Sequence, residues 1–329
     1  RLNHERKGNQ GMTRVQHWLT NILRWFDSAA GSDHLDTSSR AFNFLRVVPF
    51  IALHLVCLLV IVTGTSPFAV FFAVGFFAVR MFAITGFYHR YFAHKTFKTS
   101  RVAQFLFGVL GASAAQRGPL WWAAHHRHHH QHSDDEKDLH SPHQGGFWWS
   151  HVGWFTCDAG FAMNERRVKD WLKFPELRFL NRFDSLVPAT AAVAIYGLGE
   201  GLAAWAPGLG TNGLQLLVWG FFISTVTLFH ATVSINSLSH VWGKRRFETS
   251  DDSRNNVWLA LITMGEGWHN NHHRWPQSVR QGFRWYEVDM TWYGLWLLAR
   301  LGIIWDMNPI PEHIQEETRQ LDSMRRKHS

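Results

Sequence analysis

Long apolar segments alternate with polar segments along this chain of 329 residues. A helix needs roughly 20 apolar residues to cross a hydrocarbon core of about 30 Å. Four segments meet this condition, and they predict membrane-spanning helices at about residues 41–63, 67–87, 186–205 and 214–238. The pattern therefore predicts an all-α integral membrane protein.

A fifth apolar segment, at about residues 102–115, is shorter and contains Gly108 and Gly111. Its length suits a helix that lies in the plane of the membrane, or inside the protein, better than one that crosses. The turns within the first and second pairs of spans are short and carry no Lys or Arg. We therefore expect the four spans to form two hairpins.

The ionisable side chains inside the predicted spans include Arg80, Glu200, His54 and His230. The hydrocarbon core offers no water to hydrogen-bond them, so such groups face the protein interior and pair there. We expect each of the four to have a partner inside the protein.

Basic residues are frequent in residues 1–40, and three more, Lys244, Arg245 and Arg246, follow the fourth span. By the positive-inside rule, both chain termini are predicted to be cytoplasmic. The formal net charge of +8 is accompanied by no nucleic-acid-binding motif, so we expect membrane lipids and no nucleic acid as partners.

Three regions are predicted: a cytosolic N-terminal segment (1–40), a membrane domain (41–311) and a charged C-terminal tail (312–329). The two cysteines, Cys57 and Cys157, are far apart in sequence and imply no disulfide framework. Metal ligands in this chain are therefore expected to be nitrogen or oxygen atoms.

Three histidine boxes stand outside the predicted spans. The first, H-x4-H, is His89 and His94, and the other two have the spacing H-x2-HH: His126, His129 and His130, then His269, His272 and His273. Neutral imidazole is a common ligand of redox-active metals. Eight imidazoles are too many for one ion, so the boxes predict a two-metal centre. Ligands of one centre lie on one side of the membrane, so the active site is also predicted to be cytoplasmic.

The spacing of each box constrains its geometry. Residues i, i+3 and i+4 share one face of a helix, so the second and third boxes each direct three rings to one side. His89 and His94 differ by about 140° on an ideal helix. Either the helix is distorted there, or the two rings address different metals.

Further candidates lie near the boxes. Asn236 and His240 are four residues apart on one helix face, so His240 is a candidate ninth ligand and Asn236 a candidate holder of a metal-bound water. Glu266 and His140 are expected to stand behind ligands, with the Glu266 carboxylate orienting an imidazole. A carboxylate-bridged di-iron bundle repeats the Glu-x-x-His motif, whereas this spacing occurs only once in the sequence, at Glu266 and His269.

With these motifs, the chain resembles the membrane fatty acyl-CoA desaturases, specifically the stearoyl-CoA (Δ9) group, over roughly residues 42–296. The resemblance rests on the three boxes in order, on the Asn236/His240 pair, on Gly265-Glu266-Gly267-Trp268 before the third box and on residues 147–154 after the second. It implies four spans under a cytosolic helical cap that holds two irons. The implied ligands are the nine boxed and paired histidines and one water held by Asn236.

The resemblance also implies an activity, namely O2-dependent insertion of a cis double bond, at the Δ9 position, into a long saturated fatty acyl-CoA. Animal members place Arg-Asp before the second box, where this chain has Ala124 and His125. Acyl carrier protein and lipid-linked acyl chains therefore remain alternatives to CoA. Arg and Lys of the cap are expected to hold the head-group phosphates, and the second and fourth spans to close the acyl tunnel.

A His-Pro-Gly-Gly haem motif does not occur, so we expect a separate electron donor such as cytochrome b5, ferredoxin or rubredoxin with its reductase. A related histidine-box hydroxylase or alkene-forming fatty acid decarboxylase is the nearest alternative. The H-x4-H box and the Asn236/His240 pair favour a desaturase. A metal transporter would need ligands at the bilayer midplane, whereas these histidines cluster outside the spans.

Overall fold

The computed structural model describes residues 13–31 and 38–328, and this part of the chain is almost entirely helical. In chain order, the helices are α1 (Arg14–Leu23), α2 (Phe44–Thr63), α3 (Pro67–Ala93), α4 (Arg101–Ala112), α5 (Pro119–His132), α6 (Pro142–Gly145), α7 (Phe147–His151), α8 (Asp158–Phe161), α9 (Lys169–Leu172), α10 (Pro175–Arg182), α11 (Leu186–Trp205), α12 (Gly213–His240), α13 (Val257–Ile262), α14 (His269–Arg274), α15 (Met290–Arg300) and α16 (Glu312–His328). One two-stranded antiparallel sheet joins β1 (Lys98–Thr99) to β2 (Ile304–Trp305).

Four helices, α2, α3, α11 and α12, are long and apolar enough to cross a membrane, and we call them spans 1 to 4. They confirm the predicted all-α membrane fold with two hairpins. A three-residue turn joins spans 1 and 2, with Gly64 at φ 67°. Ser66 caps span 2 by accepting a hydrogen bond from the main-chain N–H of Ala69, and Pro67 fits the first helical position. Span 4 packs against the other three spans.

The four groups for which partners were predicted, Arg80, Glu200, His54 and His230, all have them. Arg80 donates to the hydroxyls of Ser224 and Thr225 on span 4, each at 2.6 Å. Glu200 accepts from the main-chain N–H of Gly213 at 3.0 Å. These contacts tie span 4 to spans 2 and 3 and give both charged groups hydrogen-bond partners within the protein.

His54 and His230 are partners of each other, with their Nε2 atoms 3.0 Å apart. The chain of rings continues from His230 to His151 of α7, also at 3.0 Å, and ends at the hydroxyl of Ser237. The Nδ1 of His54 donates to the carbonyl of Phe50. The Nε2 of a neutral His54 ring therefore accepts, and the Nε2 of His230 donates to it. This network connects span 1, span 4 and α7.

Helix α4 matches the fifth apolar segment and, with 12 residues, is only about 18 Å long, too short to cross. Val102 and Leu106 on one face are exposed, while Phe107 faces the protein core. Gly111 lies against the Tyr88 ring, where a Cβ atom would overlap it. An orientation in the plane of the membrane stays a prediction for this helix.

The remaining helices form a cap around the ends of spans 2 and 4. Its core is aromatic and aliphatic, and includes Phe92 of span 2, Leu120 of α5 and Leu177 of α10. The C-terminal helix α16 docks on the cap through ion pairs, such as Arg274 with Glu317 at 2.7 Å. The division of the chain into residues 1–40, 41–311 and 312–329 stays a prediction.

Candidate metal centre

The first histidine box lies on a distorted helix. Span 2 continues into a π-helix at Ala83–Ala93, and the main-chain N–H of His94 donates to the carbonyl of His89 at 3.2 Å. Such a turn closes between residues five apart, so it brings together two rings that an α-helix would separate. The ring centroids of His89 and His94 are 4.9 Å apart. The distorted-helix alternative is therefore the one that the structure adopts.

The second box, on α5, divides between two groups of rings. Pro119 at the first helical position fixes where α5 begins. His126 and His130 turn to the first box, with His126 Nε2 only 2.8 Å from His94 Nε2. His129 turns the other way, so the three rings do not converge on one point as the spacing predicted.

The third box divides in the same manner on the short helix α14. His272 approaches both His89 and His130, at 3.0 and 2.9 Å between Nε2 atoms. His269 instead approaches His240 at 3.1 Å. The buried side chain of Asn270 holds this helix by accepting hydrogen bonds from the main chain at residues 246 and 247.

All nine predicted histidines thus lie in two adjacent clusters, each with its ligand atoms within 4.8 Å of one another. The five-histidine cluster contains His89, His94, His126, His130 and His272. The four-histidine cluster contains His129, His240, His269 and His273. The rings of His130 and His273 stack at 4.5 Å where the two clusters meet.

The donor sets fit metal ions. For metal–imidazole bonds of about 2.1 Å, two ligands at right angles lie about 3.0 Å apart, and the Nε2 pairs within the clusters span 2.8 to 3.1 Å. Burial, with neighbouring imidazoles second, lowers the pKa of His130 and His272 well below the usual value. The Nε2 of His273 is buried and has no hydrogen-bond partner among the described residues. Neutral rings with free lone pairs are what metal binding requires.

Carboxylates contact the Nδ1 atoms of four of these rings. Glu266 contacts Nδ1 of His89. The other three pairs are Asp138 with His129 at 3.0 Å, Asp134 with His240 at 2.8 Å and Asp251 with His273 at 2.7 Å. A carboxylate that accepts the Nδ1 proton fixes the tautomer and leaves Nε2 for the metal. Sequence reasoning named Glu266 and missed the three aspartates.

These pairs shift pKa values in both directions. Burial lowers the pKa of His273 to about 4, although Asp251 opposes the shift. At His129, burial also disfavours the charged ring, but Asp138 and two further aspartates outweigh it and raise the pKa. Burial would raise the pKa of Asp138, whereas the charges of His129 and His140 hold it well below its usual range.

The metal-free protein is therefore expected to lose stability in mild acid. His273 titrates near 4 when folded and near 6.5 when unfolded, so the unfolded chain binds more protons between these values. Stability falls as the pH falls through this window, by about 2 kcal/mol at pH 5 for this ring alone. Scanning fluorimetry of metal-free protein at pH 7 and pH 5 measures the shift, and an unchanged or higher midpoint at pH 5 would contradict it.

The other two predicted residues lie close to the clusters. The ring of His140 is 4.5 Å from that of His129, and its Nδ1 is 3.7 Å from Asp138. Asn236 lies on span 4, one turn before His240, and its main-chain carbonyl accepts a hydrogen bond from Ser150 at 3.0 Å. Its side chain lines a cavity beside the metal centre.

That cavity has a volume of about 640 Å³. Trp122, His126 and Asn236 line it at the metal centre, while Leu53 of span 1 and Phe222 of span 4 line its apolar wall. Among the described residues, the wall comes from spans 1, 3 and 4 and from the cap, so the expectation that span 2 helps to close a tunnel is wrong for this cavity. An apolar wall and one of the predicted metal ligands, His126, therefore border the same cavity.

The chain matches the fatty acid desaturase family model over residues 63–302. It is 37% identical to the palmitoyl-monogalactosyldiacylglycerol delta-7 desaturase of Arabidopsis thaliana, over 68% of this chain and 57% of that protein. It is 34% identical to the icosanoyl-CoA 5-desaturase of Limnanthes douglasii, over 68% and 60%. It is also 34% identical to the sn-2 palmitoyl-lipid 9-desaturase of a Nostoc strain, over 64% and 71%.

The matched region thus spans less than two thirds of the length of the first two of these relatives. The family match covers well over half of this chain and includes all three boxes and both clusters. With four membrane-spanning helices beneath these clusters, the chain is a multi-pass membrane protein and belongs to the fatty acid desaturase family.

Proposed function

We propose that this protein inserts a cis double bond into a long saturated fatty acyl chain. The observation that carries the proposal is an apolar cavity whose lining includes Asn236 and His126, a member of the five-histidine cluster. A cavity of this size falls in the usual range for bound ligands, roughly 300–1,000 Å³. The reaction takes O2, two electrons and two protons and releases two waters for each double bond formed.

Two irons are the proposed metals. The five-histidine cluster would hold one, and the four-histidine cluster, with Asn236 acting through a water, would hold the other. The bound pair supplies the O2 activation that removal of hydrogen from an unactivated methylene requires. Asp134, Asp138 and Asp251 accept the Nδ1 protons of their histidines and hold those rings in position.

The cavity wall performs the remaining tasks. Its aromatic and aliphatic side chains, such as Phe50 and Phe229, bind the chain and exclude water from it. Trp122 and Asn236 border both the cavity and the metal centre, so the methylenes beside them are the ones presented for reaction. The position of the double bond then follows from how far the chain enters.

For the acyl carrier and the position of the double bond, we propose an acyl-CoA thioester and Δ9. Support comes from relatives whose names give a CoA substrate and from others whose names give position 9. Electrons are proposed to come from a protein donor such as cytochrome b5, ferredoxin or rubredoxin with its reductase. We also propose a cytoplasmic location for the cap, supported by the basic residues at Lys244, Arg245 and Arg246.

Expression in a host that lacks its own Δ9 desaturase tests the activity. We expect a new monounsaturated fatty acid with its double bond at carbon 9, identified by mass spectrometry of derivatised lipids. Cells carrying the empty vector provide the baseline. Hydroxylated acids would instead indicate a hydroxylase, and terminal alkenes an alkene-forming decarboxylase, and either result would contradict the proposed reaction.

A further inference from the structure

Three arginines gather at one end of the cavity that reaches the metal centre. Arg24 follows α1, Arg46 begins span 1 and Arg117 precedes α5, and all three line the cavity. Arg24 and Arg46 are only 4% and 6% exposed. Two carboxylates lie near them: Asp184, which pairs with Arg117 at 2.8 Å, and Asp158, whose charge acts on Arg24 and Arg46. Three guanidinium groups therefore lie near two carboxylates, which leaves a surplus of one positive charge.

The contacts of these arginines leave positive charge unmatched. Arg24 donates to main-chain carbonyls of residues 30 and 31, which are uncharged acceptors. The guanidinium of Arg46 lies over the Phe161 ring at 4.0 Å, and its buried Nη1 has no hydrogen-bond partner among the described residues. Burial and the charges of Arg117 and Arg24 disfavour the charge on Arg46, and the attraction of Asp158 and Asp184 does not offset them. A buried, unpaired N–H on a charged group is costly, so a ligand that accepts from it is favoured.

We infer that this end of the cavity binds a phosphate group of the acyl carrier. The inference rests on the proposed function and names its substrate class: an acyl chain on an anionic, phosphate-bearing carrier, either CoA or a phospholipid. Arginine presents a planar set of donors that matches phosphate oxygens in pairs. An uncharged galactolipid head would offer hydroxyls only and would leave the surplus charge of the three arginines unmatched.

The position of the arginines suits a head group. Arg117 precedes α5, and His126 lies about two turns into that helix, or about 10 Å along its axis from Pro119. A head group held by Arg117 and Arg46 therefore leaves a run of methylenes between itself and the metal ligands. The apolar wall then takes the remainder of the chain.

Binding measurements on the purified protein in detergent micelles test the inference. The probes are stearoyl-CoA, distearoyl phosphatidylglycerol and distearoyl monogalactosyldiacylglycerol. At least one phosphate-bearing probe is expected to bind about tenfold or more tightly than the galactolipid, and Arg46→Gln is expected to weaken that binding about tenfold. If stearoyl-CoA binds most tightly, the carrier is CoA. If distearoyl phosphatidylglycerol binds most tightly, the carrier is a phospholipid.

Two variants and one assay keep the outcomes distinct. Arg46→Gln removes no partner's hydrogen bond, so gel filtration and iron content are expected to match wild type, and Arg178→Gln, an exposed arginine on α10, provides the matched control. Equal binding of the galactolipid, or unchanged phosphate-probe binding by Arg46→Gln, would overturn the inference. Product analysis with each carrier is scored separately. If the binding pattern holds but no carrier yields a double bond, the proposed function fails and the inference stands.

Discussion

Replacing His269 with alanine is expected to abolish double-bond formation while leaving a folded membrane protein. His269 is 2% exposed, and its Nε2 lies 3.1 Å from that of His240 in the four-histidine cluster. Loss of a residue that hydrogen-bonds to a metal ligand already lowers metal affinity or activity by about 10- to 100-fold. Removal of a proposed ligand is therefore expected to lower activity at least about hundredfold, measured as monounsaturated product per cell.

Iron content gives a second measurement of the same variant. Because His269 belongs to the four-histidine cluster alone, the five-histidine cluster is expected to keep its metal, and iron per protein falls only part of the way. His132→Ala is a matched control, since His132 lies on α5 beside the second box but in neither of these two clusters. Full activity of His269→Ala would rule out its assignment as a ligand.

Replacing Asp134 with asparagine is expected to lower iron affinity and product formation by about 10- to 100-fold. Asp134 accepts the Nδ1 proton of His240 at 2.8 Å. Burial alone would raise the pKa of Asp134, but its contacts with His240 hold that pKa well below the usual range, so the group is a carboxylate at neutral pH. Asparagine keeps the shape and removes the charge that stabilises the ring's orientation.

Asp135→Asn is the matched control for that change. Asp135 is the next residue in the chain, and its carboxylate is 2.9 Å from Nδ1 of His132, which lies outside both clusters. Iron content by metal analysis and product by mass spectrometry are expected to stay at the wild-type level. A loss in Asp135→Asn as large as that in Asp134→Asn would indicate a general effect of charge on this loop, not support of His240.

Much of the fold could be predicted because its determinants are local. The spans follow from apolar length, and the observed helices Leu186–Trp205 and Gly213–His240 lie within two residues of the predicted bounds. Span 1 begins three residues later than predicted, at Phe44, and span 2 differs most, since it runs to Ala93 where 87 was predicted. Its polar end stays helical because His89 and Arg90 are buried against cap residues such as Glu266.

The site was predictable in its members but not in its arrangement. Histidine spacing identified the nine rings, yet it placed His129 with His126 and His130, from which the structure separates it. Helix periodicity describes one helix, whereas each cluster is built from several. Asp134 and Asp138 follow the second box closely and could have been found as acidic neighbours of a histidine cluster. Asp251 and Arg46 reach their positions only through tertiary contacts, which no local pattern records.

The continuity of span 2 with the π-helix has a mechanical consequence. No flexible linker separates the membrane-embedded part of span 2 from His89, and span 4 likewise ends at His240. A bilayer thicker or thinner than these helices shifts or tilts them at a small free-energy cost per ångström of mismatch. Such a shift moves His89 and His240 with their helices, and these residues belong to different clusters. Lipid tail length in the host membrane is therefore a variable to control when metal occupancy is compared between preparations.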